Sequence, residues 1–425
     1  MGTTPMSSSP RPDTPDGQAL AQEDVSRIAQ SPEFRVACNY FRSHESQFSK
    51  WQLELSRIPA PPFGESARGE WLRQRFAELH LERPHIDEVG NVFGTLTGKD
   101  SRFVALSAHM DTVFPAGTPL NIRQQGNRLY GPGVSDNGAG LAALLAIAAA
   151  LRNTELALRS SLVFIGNVGE EGEGDLRGMR HIFLGPHWKE LIRSTIVLDG
   201  AGSDTIVAEA LGSRRFEVIV RGPGGHSWSD FGAPNPILVL ARTLHAFAQT
   251  PLPSTPKTTF NVGVIRGGTS VNSIPESASM RVDIRSTSMA EMERLELALR
   301  RALELATEEE GKLSERRNSN QRRSSGLSHE LVDIGNRPAG ELDVNSRLMR
   351  VIRSVDAHLG NAAQVQRAST DANIPMSLGK EAIAIGGGGT GGGAHTLQEW
   401  FDSSGRETGL QRILLALLVL VGLSH

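Results

Sequence analysis

The sequence predicts an α/β protein: a mostly parallel sheet flanked by helices, with a smaller α+β two-layer sandwich inserted into it. Largely apolar runs at 103–106, 161–168 and 194–198 are each followed by acidic or imidazole side chains, as at the carboxyl ends of buried parallel strands. The run 141–151 (LAALLAIAAAL) follows a glycine-rich turn and predicts a helix that is buried on nearly every face. From residue 216 onward apolar and polar residues alternate instead, which is typical of half-buried strands.

The amino-terminal part is predicted to be mostly helical. Residues 1–30 are rich in Ser, Pro, Thr, Asp and Gln, so we expect a disordered segment without a secretory signal. Apolar spacing predicts helix within 34–58 and within 69–79, and 85–96 is typical of a strand pair that turns at Gly90-Asn91. These elements precede the first strand of the predicted parallel sheet.

The alternating part of the chain predicts a second domain. Its elements follow the order strand, helix, strand, strand, helix, strand, which describes an open-faced sandwich with helices on one face of the sheet. We place these elements at 216–221, 236–248, 259–265, 278–285, 289–310 and 331–334. The expected organisation is an inserted domain at 213–339 and a main domain formed by 31–212 and 340–425.

Composition limits the kinds of partner. The 425-residue chain has a formal net charge of −3 with acidic and basic residues interleaved, which argues against a nucleic-acid binder and a polybasic membrane anchor. The basic, serine-rich run 314–328 lacks interleaved aromatic residues, so we interpret it as a solvated loop.

The apolar run 413–423 is shorter than the roughly 20 residues of a membrane span and predicts a terminal core helix. The single cysteine, Cys38, suits a reducing compartment, and we expect a cytoplasmic protein that acts on a small molecule.

Two side chains beyond the first buried strand suggest a metal ligand and its partner. His109 and Asp111 follow the run 103–106 and, being two residues apart, point to the same side of an extended chain. A carboxylate beside an imidazole is a common way to orient a ligand histidine. We therefore expect Asp111 to hydrogen-bond the His109 ring nitrogen that faces away from a metal ion.

Five side chains that follow predicted strands or glycine turns form the candidate metal site. Two histidines and three carboxylates suit two divalent cations with one shared carboxylate; zinc is favoured, and manganese and cobalt remain open. Asp136 is the expected bridge because Gly133 and Gly138 let the backbone approach closely. Glu170 is the expected general base on a water that bridges the two metal ions. The expected metal ligands are His109, Asp136, Glu171, Asp199 and His395.

Other interpretations of these residues remain open at this point. The acids can be caps and turn residues without a metal, and a metal site can belong to a non-catalytic scaffold. The glycine tract 386–393 invites a nucleotide-binding interpretation, but no Lys-Ser or Lys-Thr pair follows it, and it leads to His395 and not directly into a helix. We favour a flexible wall that positions His395 and offers backbone N–H groups to a substrate.

Five motifs resemble, in the same order, those of the co-catalytic zinc peptidase and aminoacylase superfamily, which includes glutamate carboxypeptidase, acetylornithine deacetylase, succinyl-diaminopimelate desuccinylase and peptidase T. The motifs are SAHMDTV, GPGVSDNGAG, GNVGEEGEG, VLDG and GGAH, and the resemblance runs from about residue 50 to the carboxyl terminus. It implies one metal site of His109, Asp136 and Asp199 and a second of Asp136, Glu171 and His395. It also implies Glu170 as general base and Asp111 as orienting partner.

The inserted domain resembles the lid of this superfamily, which is often its dimerisation surface, so the resemblance implies a homodimer. GPGGHSW resembles the lid motif whose histidine, here His226, reaches an active site, commonly that of the partner subunit. GGTSVNSIPESASMRVDIR resembles the lid signature and nominates Asn272 and Arg285 as substrate contacts. Arg285 would hold a substrate carboxylate and His226 would stabilise an oxyanion; an ion pair of Arg285 on the sheet face is the alternative.

These observations together predict a dinuclear zinc hydrolase of the exopeptidase type. The preferred activity is cleavage of a peptide or amide bond in a small peptide that bears a free carboxylate, and deacylation of N-acyl amino acids is the alternative. The segment EGEGDLRGMR is longer and richer in glycine than the glutamate carboxypeptidase pattern, so that enzyme's specificity is not carried over. We expect neither a nucleic-acid partner nor a membrane partner.

Overall fold

The structure, a computed structural model, describes residues 15–154, 156–317 and 326–424. The chain forms two compact units. The first comprises the described residues up to Ala208, Leu342–Gln366 and the described residues from Gly379 onward. The second comprises Glu209–Glu341 and Arg367–Leu378 within the described ranges. No helix in the described part of the chain is long and apolar enough to cross a membrane.

The helices have the following bounds in chain order. They are α1 Pro15–Ala29, α2 Pro32–Ser43, α3 Glu45–Ser56, α4 Ser66–Glu78, α5 Gly138–Arg152, α6 Arg177–Leu184, α7 Pro236–Ala248, α8 Met289–Arg317, α9 Arg347–Leu359, α10 Asn373–Ser377 and α11 Arg406–Val421.

The strands have the following bounds in chain order. They are β1 Glu82–Ile86, β2 Val92–Leu96, β3 Phe103–His109, β4 Arg123–Gln125, β5 Arg128–Tyr130, β6 Ser161–Asn167, β7 Ile192–Leu198, β8 Thr205–Ala210, β9 Gly212–Arg221, β10 Gly225–His226, β11 Thr258–Gly267, β12 Ser273–Ile274, β13 Ser277–Ser286, β14 Ser328–Arg337, β15 Gly340–Glu341, β16 Gln364–Ala368, β17 Glu381–Ile385, β18 Thr390–Gly392 and β19 Trp400–Asp402.

The first unit is built on a central sheet in the order β1-β2-β6-β3-β7-β17-β8. β3 pairs in parallel with β6 and β7, and β7 pairs in parallel with β17, whereas β1, β2 and β8 pair antiparallel with their neighbours. A second, smaller sheet has the order β18-β19-β5-β4. The mostly parallel α/β architecture that the sequence predicts is therefore confirmed.

Two helices with apolar residues on nearly every face lie at the centre of this unit's core. α5 buries every residue from Gly138 to Leu151 and begins after Asn137, whose side chain accepts a hydrogen bond from the Gly140 N–H. α11 buries every residue from Ile413 to Val421, as expected for a terminal core helix. Helices this apolar are stable only when other elements surround them, which explains why both pack against β3.

The second unit is the predicted open-faced sandwich. Its four-stranded sheet has the order β11-β13-β9-β14, with every neighbouring pair antiparallel. Alternate residues such as Val218 on β9 and Val282 on β13 are buried against α7 and α8, while the residues between them are less buried. The period-two alternation in the sequence thus places helices on one face of this sheet.

Two expectations about loops are wrong. Residues 15–29, expected as part of a disordered segment, form α1, because Val25 and Ile28 are each only 1% exposed and join the core. Ser314, expected to begin a solvated loop, lies within α8, where it is buried and its hydroxyl donates to the Gly232 carbonyl. The remainder of those two segments, residues 1–14 and 318–325, lies outside the described residues.

The boundary of the second unit also differs from the expected one. Residues 367–378, which we expected in the main domain, group with the second unit. Asn373 explains this, since its side-chain amide donates to the Leu211 and Pro338 carbonyls, both at 2.9 Å. A polar anchor of this kind has no periodic signal in the sequence.

Candidate metal centre

The carboxyl ends of three neighbouring parallel strands bring the candidate ligands to one edge of the first unit's sheet. The last residue of β3, His109, pairs with the last residue of β6, Asn167. Asp199 follows β7 directly, and Glu170 and Glu171 follow β6 after a two-residue turn. Side chains at such strand ends converge because parallel strands finish at the same edge.

The first candidate ligand set surrounds His109. Its Nε2 atom lies 3.1 Å from Asp136 Oδ1 and 3.9 Å from Asp199 Oδ1. The His109 side chain is 1% exposed, whereas those of Asp136 and Asp199 are 17% and 24% exposed. Ligand atoms around a tetrahedral zinc ion are about 3.3 Å apart, so these distances suit a single cation.

The second candidate set uses the other side of the same carboxylate. His395 Nε2 lies 3.1 Å from Asp136 Oδ2 and 3.1 Å from Glu171 Oε1. Asp136 therefore turns one carboxylate oxygen toward each histidine. In both sets the three ligand atoms lie within 4.8 Å of one another. The five expected metal ligands are thus brought together, with Asp136 shared between the two sets.

One unsatisfied atom in this cluster indicates that the residues fit divalent cations. Asp136 Oδ1 is buried, and it lacks a hydrogen-bond donor among the described residues when the neighbouring His109 ring is neutral and carries its proton on Nδ1. A buried carboxylate oxygen without a donor is costly, and a cation would satisfy it. The mixed imidazole and carboxylate donors suit zinc and are also compatible with manganese or cobalt.

In the absence of a metal ion the same side chains share protons. Burial raises the pKa of Glu171 to about 7, and the Asp136 carboxylate adds to this rise. Hydrogen bonding to Asp136 raises the pKa of His395 to about 9. Burial lowers the pKa of His109, but the carboxylates of Asp136 and Asp199 outweigh burial and raise it well above its usual value. The cluster carries crowded negative charge that protons or cations must neutralise.

Asp111 lies where the sequence predicts, but it makes different contacts. The ring nitrogen Nδ1 of His109 donates to the backbone carbonyl of Asp111 at 3.1 Å, whereas the Asp111 carboxylate is 3.7 Å from that nitrogen. The carboxylate instead accepts the backbone N–H groups of Glu170 and Glu171, at 3.0 and 2.7 Å. A carbonyl only accepts hydrogen bonds, so this contact fixes the proton on Nδ1 and leaves Nε2 facing Asp136.

Glu399 is a site residue that the sequence analysis missed. Its carboxylate accepts three backbone N–H groups, those of Gly133, Ser135 and Asp136, each at 2.7 Å, and it is 0% exposed. Burial raises its pKa to about 6, although the three N–H groups act in the opposite direction. Glu399 therefore holds the turn that presents Asp136. The sequence marks it only by its position four residues after His395.

Asn137 is the second site residue that the sequence analysis missed. Its side-chain nitrogen donates to the Leu198 carbonyl at 2.8 Å, and its side-chain oxygen accepts the Gly200 N–H at 3.0 Å. These two contacts flank Asp199, so the residue after one ligand fixes the backbone on both sides of another. A signal was available, since an Asn directly before an alanine-rich helix is typical of an N-cap.

The glycine tract before His395 is ordered and is not a flexible wall. Residues Thr390–Gly392 form β18, and the N–H of Gly387 donates to the Gly200 carbonyl at 2.9 Å. A Cβ on Gly386 would lie 2.4 Å from the Ala201 carbonyl oxygen, so close backbone packing requires glycine there. His395 itself has φ of 64°, a left-handed conformation that is uncommon for a residue with a side chain.

The three expected substrate contacts lie in the second unit, which places two of them together. His226 on β10 pairs with Ser273 on β12, and the next residue, Ser227, donates its N–H to the Asn272 carbonyl at 2.9 Å. His226 Nδ1 also accepts the Trp228 N–H at 3.2 Å. The His226 and Asn272 backbones are therefore neighbours in one small ladder.

Arg285 lies apart from this pair within the second unit. It is near the end of β13, eight residues beyond Ser277 at the start of that strand, a length of about 26 Å in an extended chain. Its Nε donates to Asp283 Oδ2 at 2.7 Å. The alternative of an ion pair on the sheet face is therefore what the structure contains.

The chain is similar in sequence to known proteins. The sequence profile described as "Peptidase family M20/M25/M40" matches residues 105–418. A probable carboxypeptidase of Aspergillus clavatus is 28% identical over 249 residues, which cover 52% of this chain and 54% of that protein. A succinyl-diaminopimelate desuccinylase of Rhodospirillum centenum is 29% identical over 248 residues, which cover 53% of this chain and 62% of that protein. The chain therefore spans only about half to three fifths of these two relatives.

A solved structure shows the same fold over nearly the whole chain. The aminopeptidase PepT of Bacillus cereus matches with a TM-score of 0.69 at 19% identity, covering 89% of this chain and 99% of that one. The profile match begins within β3 and ends within α11, so it includes every candidate metal ligand. The chain belongs to peptidase family M20/M25/M40.

Proposed function

We propose that the protein is a metal-dependent hydrolase with two divalent cations, zinc being favoured, that cleaves a peptide or amide bond in a small peptide. The observation that carries this proposal is the carboxylate of Asp136, which directs one oxygen to each of two histidines. A third donor completes each set, Asp199 beside His109 and Glu171 beside His395. A shared carboxylate between two cations is the usual arrangement in two-metal hydrolases.

The two cations, when bound, polarise the scissile carbonyl and lower the pKa of the attacking water. Glu170 accepts the proton of that water and delivers it to the leaving nitrogen. Its position supports this role, because it is adjacent to Glu171 and only 6% exposed, and its N–H is bound to Asp111. Asp111 contributes by holding the Glu170-Glu171 turn, and its backbone carbonyl orients His109.

Substrate contacts are proposed for the second unit. His226 and Asn272 are both exposed. We propose that their side chains hydrogen-bond the carbonyl and carboxylate groups of the substrate. Arg285 is proposed as a weaker candidate, because a substrate carboxylate would have to compete with Asp283 for its guanidinium. An Arg285→Lys variant with raised KM and unchanged kcat would support binding through its planar fork.

Peptidase activity is placed ahead of N-acyl amino acid deacylation. The relatives carry both kinds of name, one a probable carboxypeptidase and one a succinyl-diaminopimelate desuccinylase. A panel of di- and tripeptides assayed beside N-acetyl and N-succinyl amino acids, with zinc, manganese or cobalt added, separates the two activities. Turnover of acyl substrates alone would reverse the order.

The experiment that tests the proposal is Glu170→Gln. This variant removes the proposed base and keeps the size of the side chain, so we expect turnover to fall by at least about 100-fold, the contribution of a general base. Metal content, measured by elemental analysis, should stay near that of the unchanged protein. Glu173→Gln, at an exposed glutamate three residues further on, is the matched control and should keep full activity.

Each contrary outcome has its own meaning. Full activity of Glu170→Gln would show that the base is misassigned. A protein that binds two metal ions and hydrolyses neither panel would favour the non-catalytic scaffold. A protein that binds no divalent cation would contradict the whole proposal.

We further propose a homodimer formed through the second unit. β11 is an edge strand that pairs only with β13 among the described residues, and Ile265 on it is 58% exposed. Trp228 and Val271 near the His226 ladder are 87% and 102% exposed. Open edge strands and exposed apolar side chains are typical of association surfaces.

Light scattering tests the dimer. Ile265→Lys should shift the protein to the mass of a monomer, whereas Leu184→Lys, at an equally exposed position on α6 (58%), should not. A monomer before any substitution would contradict the dimer. A cytoplasmic location remains part of the proposal and is supported by Cys38, a free, buried thiol whose pKa burial raises to about 11.

A further inference from the structure

A cavity in the first unit, separate from the metal centre, is lined by four arginines. Its volume is about 380 Å³, which is within the range of small-molecule sites. The arginines are Arg102, Arg159, Arg193 and Arg347, and one acid, Asp100, lies among them. The end of α11 forms the rest of the wall. Nothing in the proposed hydrolysis uses these residues.

The cavity lies at the opposite edge of the sheet from the metal centre. Arg102 directly precedes β3, Arg159 lies two residues before β6, and Arg193 is the second residue of β7. The other ends of these three strands lead to the candidate metal ligands. Seven strand residues rise about 3.3 Å each, so the two sites are about 20 Å apart.

Part of this cluster has a structural explanation. Arg347 donates to the Leu420 and Val419 carbonyls at 3.0 and 2.9 Å, and Arg193 also donates to the Leu420 carbonyl. Cations at the carboxyl end of a helix satisfy its free carbonyls and interact favourably with its dipole. The end of α11 therefore accounts for Arg193 and Arg347, but not for the other two.

Arg102 and Arg159 are unexplained by helix capping. Both are exposed, and neither guanidinium makes a hydrogen bond or an ion pair within the described ranges of the chain. Two cations held beside two others without an acidic partner repel one another. Their position beside the cavity is accounted for if an anion enters it.

The nearby acids neutralise the arginines only in part, since Asp100 and Glu381 favour the charged form of Arg193 but are two against four. Asp100 accepts hydrogen bonds from the Ser160 hydroxyl and the Arg102 backbone N–H, both at 3.0 Å. Glu381 accepts the Arg347 backbone N–H at 2.9 Å and the Ser194 hydroxyl at 3.0 Å. No carboxylate of the described residues lies within ion-pair distance of the four guanidinium groups. Four cations therefore face two acids, an excess of two positive charges.

Arg193 has a buried N–H group that lacks a hydrogen-bond acceptor. Its Nε atom is buried and has no hydrogen-bond partner among the residues that the structure describes. Burial lowers the pKa of its guanidinium, and the positive charge of Arg347 lowers it further. An oxyanion in the cavity would supply both an acceptor and the missing negative charge.

We propose that this cavity binds a small oxyanion with two negative charges, a phosphate group or a dicarboxylate, between Arg102, Arg159 and Arg193. The charge excess of two matches a dianion. Arginine forks suit the paired oxygens of both groups. The volume leaves room for a small organic molecule that carries the anion. The ligand would bind far from the metal centre and would not be the hydrolysed substrate.

Isothermal titration of the intact, metal-loaded protein tests the proposal, with inorganic phosphate and succinate as separate probes at one ionic strength. Arg102→Gln combined with Arg159→Gln should weaken binding by at least about tenfold for each arginine in contact with the anion. Arg353→Gln, at an exposed arginine of α9 outside the cavity, is the matched control and should change affinity less than twofold. Arg353→Gln should leave thermal unfolding unchanged, and the double variant should be no less stable than the unchanged protein, because it loses no described hydrogen bond or ion pair and relieves repulsion from Arg193.

The arginine-dependent part of the binding decides the outcome. Phosphate that binds at the metal centre would bind equally well to the double variant. Only the binding that the double variant loses is therefore assigned to the arginine cavity. Loss for phosphate alone identifies a phosphate-group ligand, and loss for succinate alone identifies a dicarboxylate. Binding that is absent for both probes, or equal in the double variant, would overturn the proposal.

Discussion

Asp111 Oδ2 lies 2.7 Å from the backbone nitrogen of Glu171. The other oxygen of the same carboxylate accepts the Glu170 N–H at 3.0 Å. Asp111 follows β3 and the two glutamates follow β6, so this contact locks together the turns beyond two neighbouring strands. One buried carboxylate thereby sets the position of both the proposed base and one candidate metal ligand. For the proposed reaction, this geometry predicts that Asp111 acts by positioning Glu170 and Glu171.

Asp111→Asn should therefore lower kcat. An amide has one acceptor oxygen, so one of the two N–H groups is left facing an NH₂ group and the turn shifts. A misplacement of about 1 Å at a reacting group costs about 100-fold in rate. We expect kcat to fall by about that factor while KM changes little, measured on the best substrate of the peptide panel.

Asp204→Asn is the control for that variant. Asp204 is an exposed aspartate of the first unit, and its side chain makes no described hydrogen bond. This variant should keep kcat within twofold. If both variants behave alike, the hydrogen bonds from Asp111 to the turn do not matter for the reaction.

Glu399→Gln should weaken metal binding and lower stability. The Glu399 carboxylate accepts three N–H groups around Asp136, and an amide in its place offers only one acceptor oxygen. A buried N–H without an acceptor costs about 1–3 kcal/mol, and a moved Asp136 loses its place between the two histidines. Metal affinity, measured by competition with a coloured chelator, should fall by at least about tenfold.

Glu190→Gln is the matched control for Glu399→Gln. Glu190 is an exposed glutamate of the first unit without a described contact, so both metal affinity and the unfolding temperature should stay unchanged. If Glu399→Gln loses stability but keeps its metal affinity, Glu399 supports the fold only and does not position Asp136.

The contrast between Glu399 and His395 shows what the sequence can and cannot predict. His395 was identified because it follows a predicted strand and a glycine tract, as the other candidate ligands follow strands or glycine turns, and because GGAH resembles a family motif. Glu399 is one of 47 acidic residues, and its role depends on a turn that lies more than 260 residues earlier in the chain. No local pattern records such a contact, so only the three-dimensional structure identifies it.

The same limit applies to the contacts of correctly placed residues. Strand alternation predicted that His109 and Asp111 lie side by side, but it did not predict that the Asp111 backbone carbonyl binds the ring while the carboxylate binds the next strand's turn. Likewise, composition suggested disorder before residue 30, whereas Val25 and Ile28 of α1 are buried in the core. Periodic patterns define elements and faces, and individual polar contacts depend on packing.

Metal affinity should depend on pH in a definite direction. In the metal-free protein His395 has a pKa of about 9 and Glu171 a pKa of about 7. A metal ion binds only their deprotonated forms, so binding displaces a proton from His395 between pH 9 and 7 and a second from Glu171 below pH 7. Affinity should weaken by at least about tenfold per pH unit on acidification from pH 9, and more steeply below pH 7.

Chelator competition at pH 6 to 9, with proton release measured in weak buffer, checks this. The raised pKa of His109 acts in the same direction, so its proton adds to the release. Metal affinity that is constant over this range would show that the cluster does not hold protons in the absence of metal.

The buried ion pair between α9 and α11 should contribute strongly to the stability of the first unit. Arg412 of α11 binds Asp356 of α9 through two hydrogen bonds, of 2.6 and 2.8 Å, and the side chains are 1% and 8% exposed. Arg412→Met leaves the Asp356 carboxylate buried with only the Asn361 amide as partner, which should cost about 3–5 kcal/mol in the free energy of unfolding by urea. Adding Asp356→Leu removes the unpaired charge and should restore most of the loss, because an apolar pair of similar size packs well in this core. Arg27→Met, which breaks an exposed pair with Asp24, is the control and should leave the urea midpoint unchanged. The contrary outcome is a double variant that is no more stable than Arg412→Met alone. That result would mean that Arg412 stabilises the core through its packing, and not by compensating the buried Asp356 carboxylate.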